Sequence, residues 1–150
     1  TGALIVIERS TKLGDIMKTG VQIDAVVSQN LIRNIFFNKA ALHDGAVIIS
    51  DYRIAAAGCF LPISQNPQIS KDKGTRHRAG VGISEVSDAM TVVVSEETGA
   101  ISITQYSEIK RNVTAETLRE QLSALHNKTT EGKRFRLWKG REKDETKTDR

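Results

Sequence analysis

Three polar clusters interrupt the apolar runs of this 150-residue chain, and each carries side chains that can do chemistry: His43-Asp44-Gly45-Ala46, Gly74-Thr75-Arg76-His77-Arg78 and Ser95-Glu96-Glu97. Loops at strand ends are where sites are built. The first cluster offers a carboxylate that can serve as a base or a metal ligand. The second offers hydroxyl, guanidinium and imidazole groups beside the free amides of a helix start, an anion cradle. The third adds carboxylates suited to a divalent cation. Brought together, these groups equip a site for chemistry on a polyphosphate. No glycine-rich phosphate loop with its lysine is present, so a P-loop mechanism has no support.

Each cluster also has a plainer reading. Asp44-Gly45 before "A-V-I-I-S" is a common turn signal, since Gly tolerates positive φ and Asp bonds nearby backbone. Arg76 and Arg78 fit solvated positions, and His77 fits a satisfied core histidine. Glu96 and Glu97 before "T-G" fit an exposed hairpin kept soluble by charge. One feature resists the plain reading. Thr75 reads as an N-cap, and Arg76, His77 and Arg78 then fill a first helical turn where the helix dipole favours acids. An anion in front of the helix removes that conflict, and such conflicts mark functional positions.

The elements that must position these clusters follow from pattern. Residues 3 to 8, rich in β-branched side chains, predict a buried strand, followed by the turn-prone "R-S-T-K-L-G-D". Ser28 caps a segment with apolar residues at 31, 32, 35 and 36, the spacing of a helix face. "A-V-I-I-S" and "I-A-A-A-G-C-F-L", joined by "D-Y-R", predict an antiparallel hairpin. The loop that follows, "P-I-S-Q-N-P-Q-I-S-K-D-K-G-T", holds both prolines and is expected to be exposed and mobile. After the helix from Thr75, "M-T-V-V-V-S-E-E" and "A-I-S-I-T-Q-Y" predict a second hairpin. Thr114 caps a last helix whose Leu118, Leu122 and Leu125 form one narrow apolar face, expected to pack on the sheet. The expected fold is α/β, a single domain with a mixed, largely antiparallel central β-sheet flanked by helices.

Composition limits the function classes. The length suits one core, and 39% apolar with 27% charged residues is ordinary for a soluble domain. At 5% aromatic residues there are too few rings for a stacking platform on single-stranded nucleic acid. The formal net charge of +4 is scattered and no nucleic-acid motif occurs, so nucleic acid is not an expected partner. Residues 139–150 hold five basic and four acidic side chains and nothing apolar, which predicts a charged, disordered tail after a catalytic domain at 1–138. Cys59, the single cysteine, excludes an internal disulfide and reads as a small buried hydrophobe. No apolar run approaches the ~20 residues that span a bilayer. The chain opens without methionine and enters a strand almost at once, which leads us to expect a fragment of something longer.

"D-G-A" at 44 to 46, followed about thirty residues later by "G-T-R-H-R-A" and then by "S-E-E" at 95 to 97, resembles the paired signature of the diadenylate cyclase domain. The resemblance runs from about Ala3 to Val113, and the chain looks most like the catalytic part of the membrane-tethered CdaA type. It implies a nucleotidyltransferase that condenses two ATP into cyclic di-AMP, releasing two pyrophosphates across a head-to-head homodimer. It further implies attachment at the cytoplasmic face of a bacterial membrane through a segment absent from this chain, the fragment itself being soluble.

By the same resemblance, Asp44, Arg76 and His77 carry catalysis, with Asp44 acting on the ribose hydroxyl. Gly45 and Ala46 let the nucleotide approach the backbone, while Phe60 and the backbone of Leu61 contact adenine. Gly74, Thr75, Arg76, His77, Ser95 and Glu96 hold the phosphates. His43, Asp44 and Glu97 are candidates for contacting Mn²⁺ or Mg²⁺. Arg78, turned to another face, is a candidate structural ion-pair partner. Gly80 stands where the family pattern suggests alanine, a change expected to loosen the helix by up to ~1 kcal/mol. Two rivals remain: a nucleotide-binding sensor without catalysis, and a protein-interaction module using the last helix or the tail.

Overall fold

The computed structural model of the protein describes residues 1–69 and 74–126. The chain forms two compact units, Thr1–Val113 and Thr114–Arg150. Along the first run β1 (Ala3–Ile7), α1 (Gly14–Met17), β2 (Val21–Val26), α2 (Gln29–Ile35), β3 (Ala46–Ser50), β4 (Arg53–Cys59), α3 (Thr75–Val86), β5 (Met90–Val94), β6 (Ile101–Gln105) and β7 (Glu108–Lys110). A single 3₁₀ turn, Ala41–His43, precedes β3. The strands form one sheet in the order β2-β4-β3-β1-β5-β6-β7. β1 and β3 run parallel and every other neighbouring pair antiparallel, the mixed sheet that the sequence predicts.

Both faces of the central strands are covered, which is why they read as nearly continuous apolar runs. On one face Leu4, Val6, Ala46, Ile48 and Val93 pack with Ala79 and Ile83 of α3. On the other, Val47, Ile54 and Ala57 pack with Ile35 and Phe36 at the end of α2. Ser28 caps α2 as expected, its Oγ accepting the Leu31 N–H at 3.1 Å.

Two strands escape the sequence pattern. β2 is an edge strand whose register slips between Gln22 and Ala25, with Asp24 at φ 51°. Arg53 holds that bulge, donating from Nε to Asp24 Oδ1 at 2.7 Å and from Nη2 to Asp24 O at 2.8 Å. A bulge breaks the two-residue alternation by which a strand is recognised. β7, three residues long, is too short to show a period.

α3 lies unusually close to its neighbours. A Cβ on Gly80 would stand 3.0 Å from Val93 Cγ2 and 3.2 Å from Thr104 Cγ2, and Thr104 Oγ1 donates to Gly80 O at 2.7 Å. Gly80 therefore lets the helix settle onto the sheet, a packing role beside the propensity cost expected from its type. A Cβ on Gly82 would run into the Pro62 carbonyl. The loop after β4 is accordingly not all exposed: Ser64 donates its N–H to Arg78 O at 3.0 Å, and Ser64 and Ile69 are buried. Residues 70–73 of that loop lie outside the described residues. The helix also starts one residue earlier than predicted, with Gly74 as N-cap and Thr75 as its first helical residue.

In the second unit residues 115–126 are helical, and Thr114 Oγ1 accepts the Thr117 N–H at 3.1 Å, the expected cap. The predicted tail at 139–150 lies outside the described residues. Among the described residues no helix is long and apolar enough to cross a membrane.

Candidate active site

Strand register brings the polar clusters to one end of the sheet. Ala46 pairs with Cys59, Ile5 with Val47 and Ala3 with Val94, so the starts of β1 and β3 stand beside the ends of β4 and β5. α3 begins at the same end: a Cβ on Gly2 would lie 2.8 Å from both Cζ and Nη1 of Arg76. Between these elements opens a cleft of about 620 Å³, within the range of small-molecule sites. His43, Asp44, Gly45, Phe60, Leu61, Gly74, Thr75, Arg76, His77, Ser95, Glu96 and Glu97 all line it.

Two residues singled out from the sequence do not. Ala46 is fully buried in the core beneath the cleft. Arg78 is exposed away from it, and among the described residues no ion pair involves Arg78. Conversely, Leu4, Ile63, Ala79, Val94 and Thr98 line the cleft without having been picked out. The first four read as core or loop residues. The position of Thr98, directly after Ser95-Glu96-Glu97, was the available signal.

The Asp44-Gly45 turn is more than a chain reversal. Gly45 has φ 138°, and a Cβ there would lie 2.8 Å from Cα and C of Gly58. Only glycine meets both conditions, and the resulting contact sets Asp44 at the mouth of the cleft. His43 ends the 3₁₀ turn and is fixed by its start, its Nδ1 2.6 Å from Ala40 O. A carbonyl only accepts, so Nδ1 is the donating nitrogen and Nε2 is the one left for another partner.

Opposite, the first turn of α3 holds no acid. Arg76 Nη1 instead pairs with Glu96 Oε2 at 3.2 Å across from the β5–β6 turn. That turn is built by Ser95, whose carbonyl accepts the Gly99 N–H at 2.9 Å and whose Oγ accepts the Thr98 N–H at 3.3 Å. His77 is buried at 5% exposure while still bordering the cleft. Burial pushes the Cys59 thiol up, outweighing hydrogen bonds from the Gly20 backbone and the Thr19 side chain. The thiol form is thereby favoured over a nucleophilic thiolate.

Among the described residues the lining carries three carboxylates, Asp44, Glu96 and Glu97, against one guanidinium, Arg76. No group of three or more His, Cys, Asp or Glu side chains among those residues is arranged to hold a metal ion. His43, Asp44 and Glu97 share the cleft without forming a closed ligand cage. One imidazole nitrogen and two carboxylates are a donor set that suits a divalent cation whose coordination is completed by other groups.

The family model described as DAC, DisA bacterial checkpoint controller nucleotide-binding, matches residues 1–109. The chain is similar to cyclic di-AMP synthase CdaA of Bacillus subtilis, with 50% identity covering 91% of this chain and 50% of that protein. It is also similar to diadenylate cyclase of Listeria monocytogenes, with 48% identity covering 93% and 52%. A structure of a double mutant of DacA from Staphylococcus aureus superposes with a TM-score of 0.81 at 52% identity, over 82% of each chain. A hypothetical membrane spanning protein from Bacillus cereus does so at 0.72 and 39% identity, over 75% of this chain and 55% of that one. The chain spans about half the length of the curated relatives it matches. With most of its length matched by the family model and its sheet superposing on a solved relative, the chain belongs to the DAC nucleotide-binding family.

Proposed function

We propose that this chain is the catalytic domain of a diadenylate cyclase, a nucleotidyltransferase that condenses two ATP into cyclic di-AMP with release of two pyrophosphates. The observation that carries the proposal is the convergence of Asp44-Gly45, the cationic start of α3 and the Ser95-Glu97 turn on one cleft. The activity named for the Bacillus subtilis and Listeria relatives supports it.

In each half-reaction a ribose 3′-oxygen bonds to the α-phosphorus of the other ATP, and the bond from that phosphorus to pyrophosphate breaks. The hydroxyl proton must leave, and Asp44 is the base or orienting acceptor for it. Arg76, His77, Thr75 and the free amides from Gly74 onward stabilise charge growing on the pyrophosphate. Arg76 exchanges part of its bond to Glu96 for phosphate oxygens. Ser95 and Glu96 border the same phosphates, Gly45 gives close backbone approach, and Phe60 with the Leu61 backbone receives adenine.

Mn²⁺ or Mg²⁺ fits this lining, because a triphosphate beside three carboxylates needs cationic charge that Arg76 alone does not supply. His43 Nε2, Asp44 and Glu97 would hold the ion together with phosphate oxygens. Bound there, it supplies Lewis-acid polarisation of a phosphoryl oxygen. Two ATP of opposite polarity require two protomers about a twofold axis, the Asp44 of each serving the nucleotide held by the other. The catalytic part lies within residues 1–138, with 139–150 an accessory tail. Attachment at the cytoplasmic face of a membrane belongs to a segment outside this chain, in keeping with relatives twice as long.

The test is to incubate the chain with ATP and Mn²⁺ and separate the products by chromatography. A cyclic dinucleotide with two equivalents of pyrophosphate is expected. Bound, unreacted ATP would instead identify a nucleotide sensor and overturn the catalytic assignment.

A further inference from the structure

We propose that Thr19, which lies outside every motif above, is a positioning residue for the base-side wall of the cleft, acting through the Phe60 peptide. This rests on the nucleotide-binding role proposed for the cleft. Thr19 Oγ1 donates to Ile16 O at 2.6 Å and accepts the Phe60 N–H at 2.9 Å. One hydroxyl thus ties the end of α1 to the point where the chain leaves β4.

The tie joins a fixed element to a free one. α1 is anchored, because Ile16 and Met17 pack against the core cluster that Leu61 also joins. The next residue, Gly20, presses the turn onto β4: a Cβ there would run into the Ala57 carbonyl oxygen and stand 2.6 Å from Cys59 Sγ. Phe60, by contrast, follows the last residue of β4 and is 69% exposed while lining the cleft. Little packing holds its ring, so the anchored peptide sets where the ring and the Leu61 peptide stand. Because the Phe60 N–H is engaged by Thr19, backbone N–H donation to a base falls to Leu61 and not to Phe60. Without the hydroxyl that N–H is released at the slot, and the wall loses its tie to α1.

The phosphate groups and Asp44 are carried by other elements. Losing the tie therefore weakens ATP binding while leaving the reacting groups in place. Thr19→Val keeps the β-branched shape and deletes the hydroxyl with its bonds to Ile16 O, the Phe60 N–H and Cys59; Thr19→Ser keeps the hydroxyl. Cyclic dinucleotide formation is measured against ATP concentration with Mn²⁺, alongside equilibrium binding of a non-hydrolysable ATP analogue and thermal melting. We expect Thr19→Val to raise KM and the analogue's Kd about fivefold to tenfold with kcat within about twofold, and Thr19→Ser to restore both. Wild-type KM in the Val variant, a fall in kcat at unchanged KM, or failure of Ser to rescue overturns the proposal. If the Val variant does not fold, Thr19→Ala is read by the same criteria. A wild-type chain that binds the analogue but makes no product defeats the catalytic assignment, and the variants' Kd values then judge Thr19 alone.

Discussion

Asp44 owes its place to the residue after it. Gly45 combines a positive φ with contact against Gly58 that leaves no room for a side chain, so the Asp-Gly pair is fixed by packing as well as by turn preference. If Asp44 handles the 3′-hydroxyl proton, Asp44→Asn keeps its shape but cannot take a proton. It should leave affinity for a non-hydrolysable ATP analogue within about threefold and lower turnover about 10²–10⁴-fold. Calorimetry and a product assay on the same preparation check this, and undiminished turnover removes Asp44 from its role. At this scale the sequence was informative wherever a residue violated a local rule. The cations in the first turn of α3 did so and were found; Thr19, a threonine in an ordinary polar turn, violated nothing and was not. Ala46 was placed in the site by the motif it belongs to, although strand alternation turns its side chain into the core.

α3 is the element that carries the proposed anion cradle, and two glycines decide how it sits. Gly80 faces methyl groups of Val93 and Thr104, which can shift, whereas Gly82 faces the Pro62 backbone, which cannot. Gly82→Ala should therefore destabilise the protein by about 1–3 kcal/mol, several degrees in Tm, and Gly80→Ala by clearly less. Melting curves of the two variants in parallel test the ranking, and equal losses would show that the Pro62 contact relaxes freely. Elements with a local signal were legible: β1, α2 and both hairpins follow from apolar runs and spacing, and α3 from its cap signal. β2 was not, because its bulge at Asp24 is held by Arg53 from β4, twenty-nine residues away. The loop after β4 looked mobile from its prolines, yet part of it is pinned by a backbone bond to α3 that no local pattern encodes.

In the whole molecule the question is how many nucleotides one chain can serve. Each cleft carries one Asp44, one cationic helix start and one exposed Phe60, which on the function proposed above is the equipment for a single ATP. Two phosphodiester bonds joining two nucleotides need that equipment twice, in opposite orientations, which a twofold pair of chains provides and one chain does not. The motifs in sequence order revealed the site's contents, but not that parallel β1–β3 pairing would gather them at one end of the sheet, since pairing partners are set by the tertiary fold. Dimer formation is a mass-action equilibrium, so it makes a kinetic prediction independent of any mutation. At saturating ATP and Mn²⁺, the initial rate should rise with the square of chain concentration below the dimer dissociation constant and linearly above it. Specific activity should thus fall on dilution in step with the monomer fraction seen by light scattering. A rate per chain that stays constant where light scattering sees only monomers is incompatible with catalysis across two protomers.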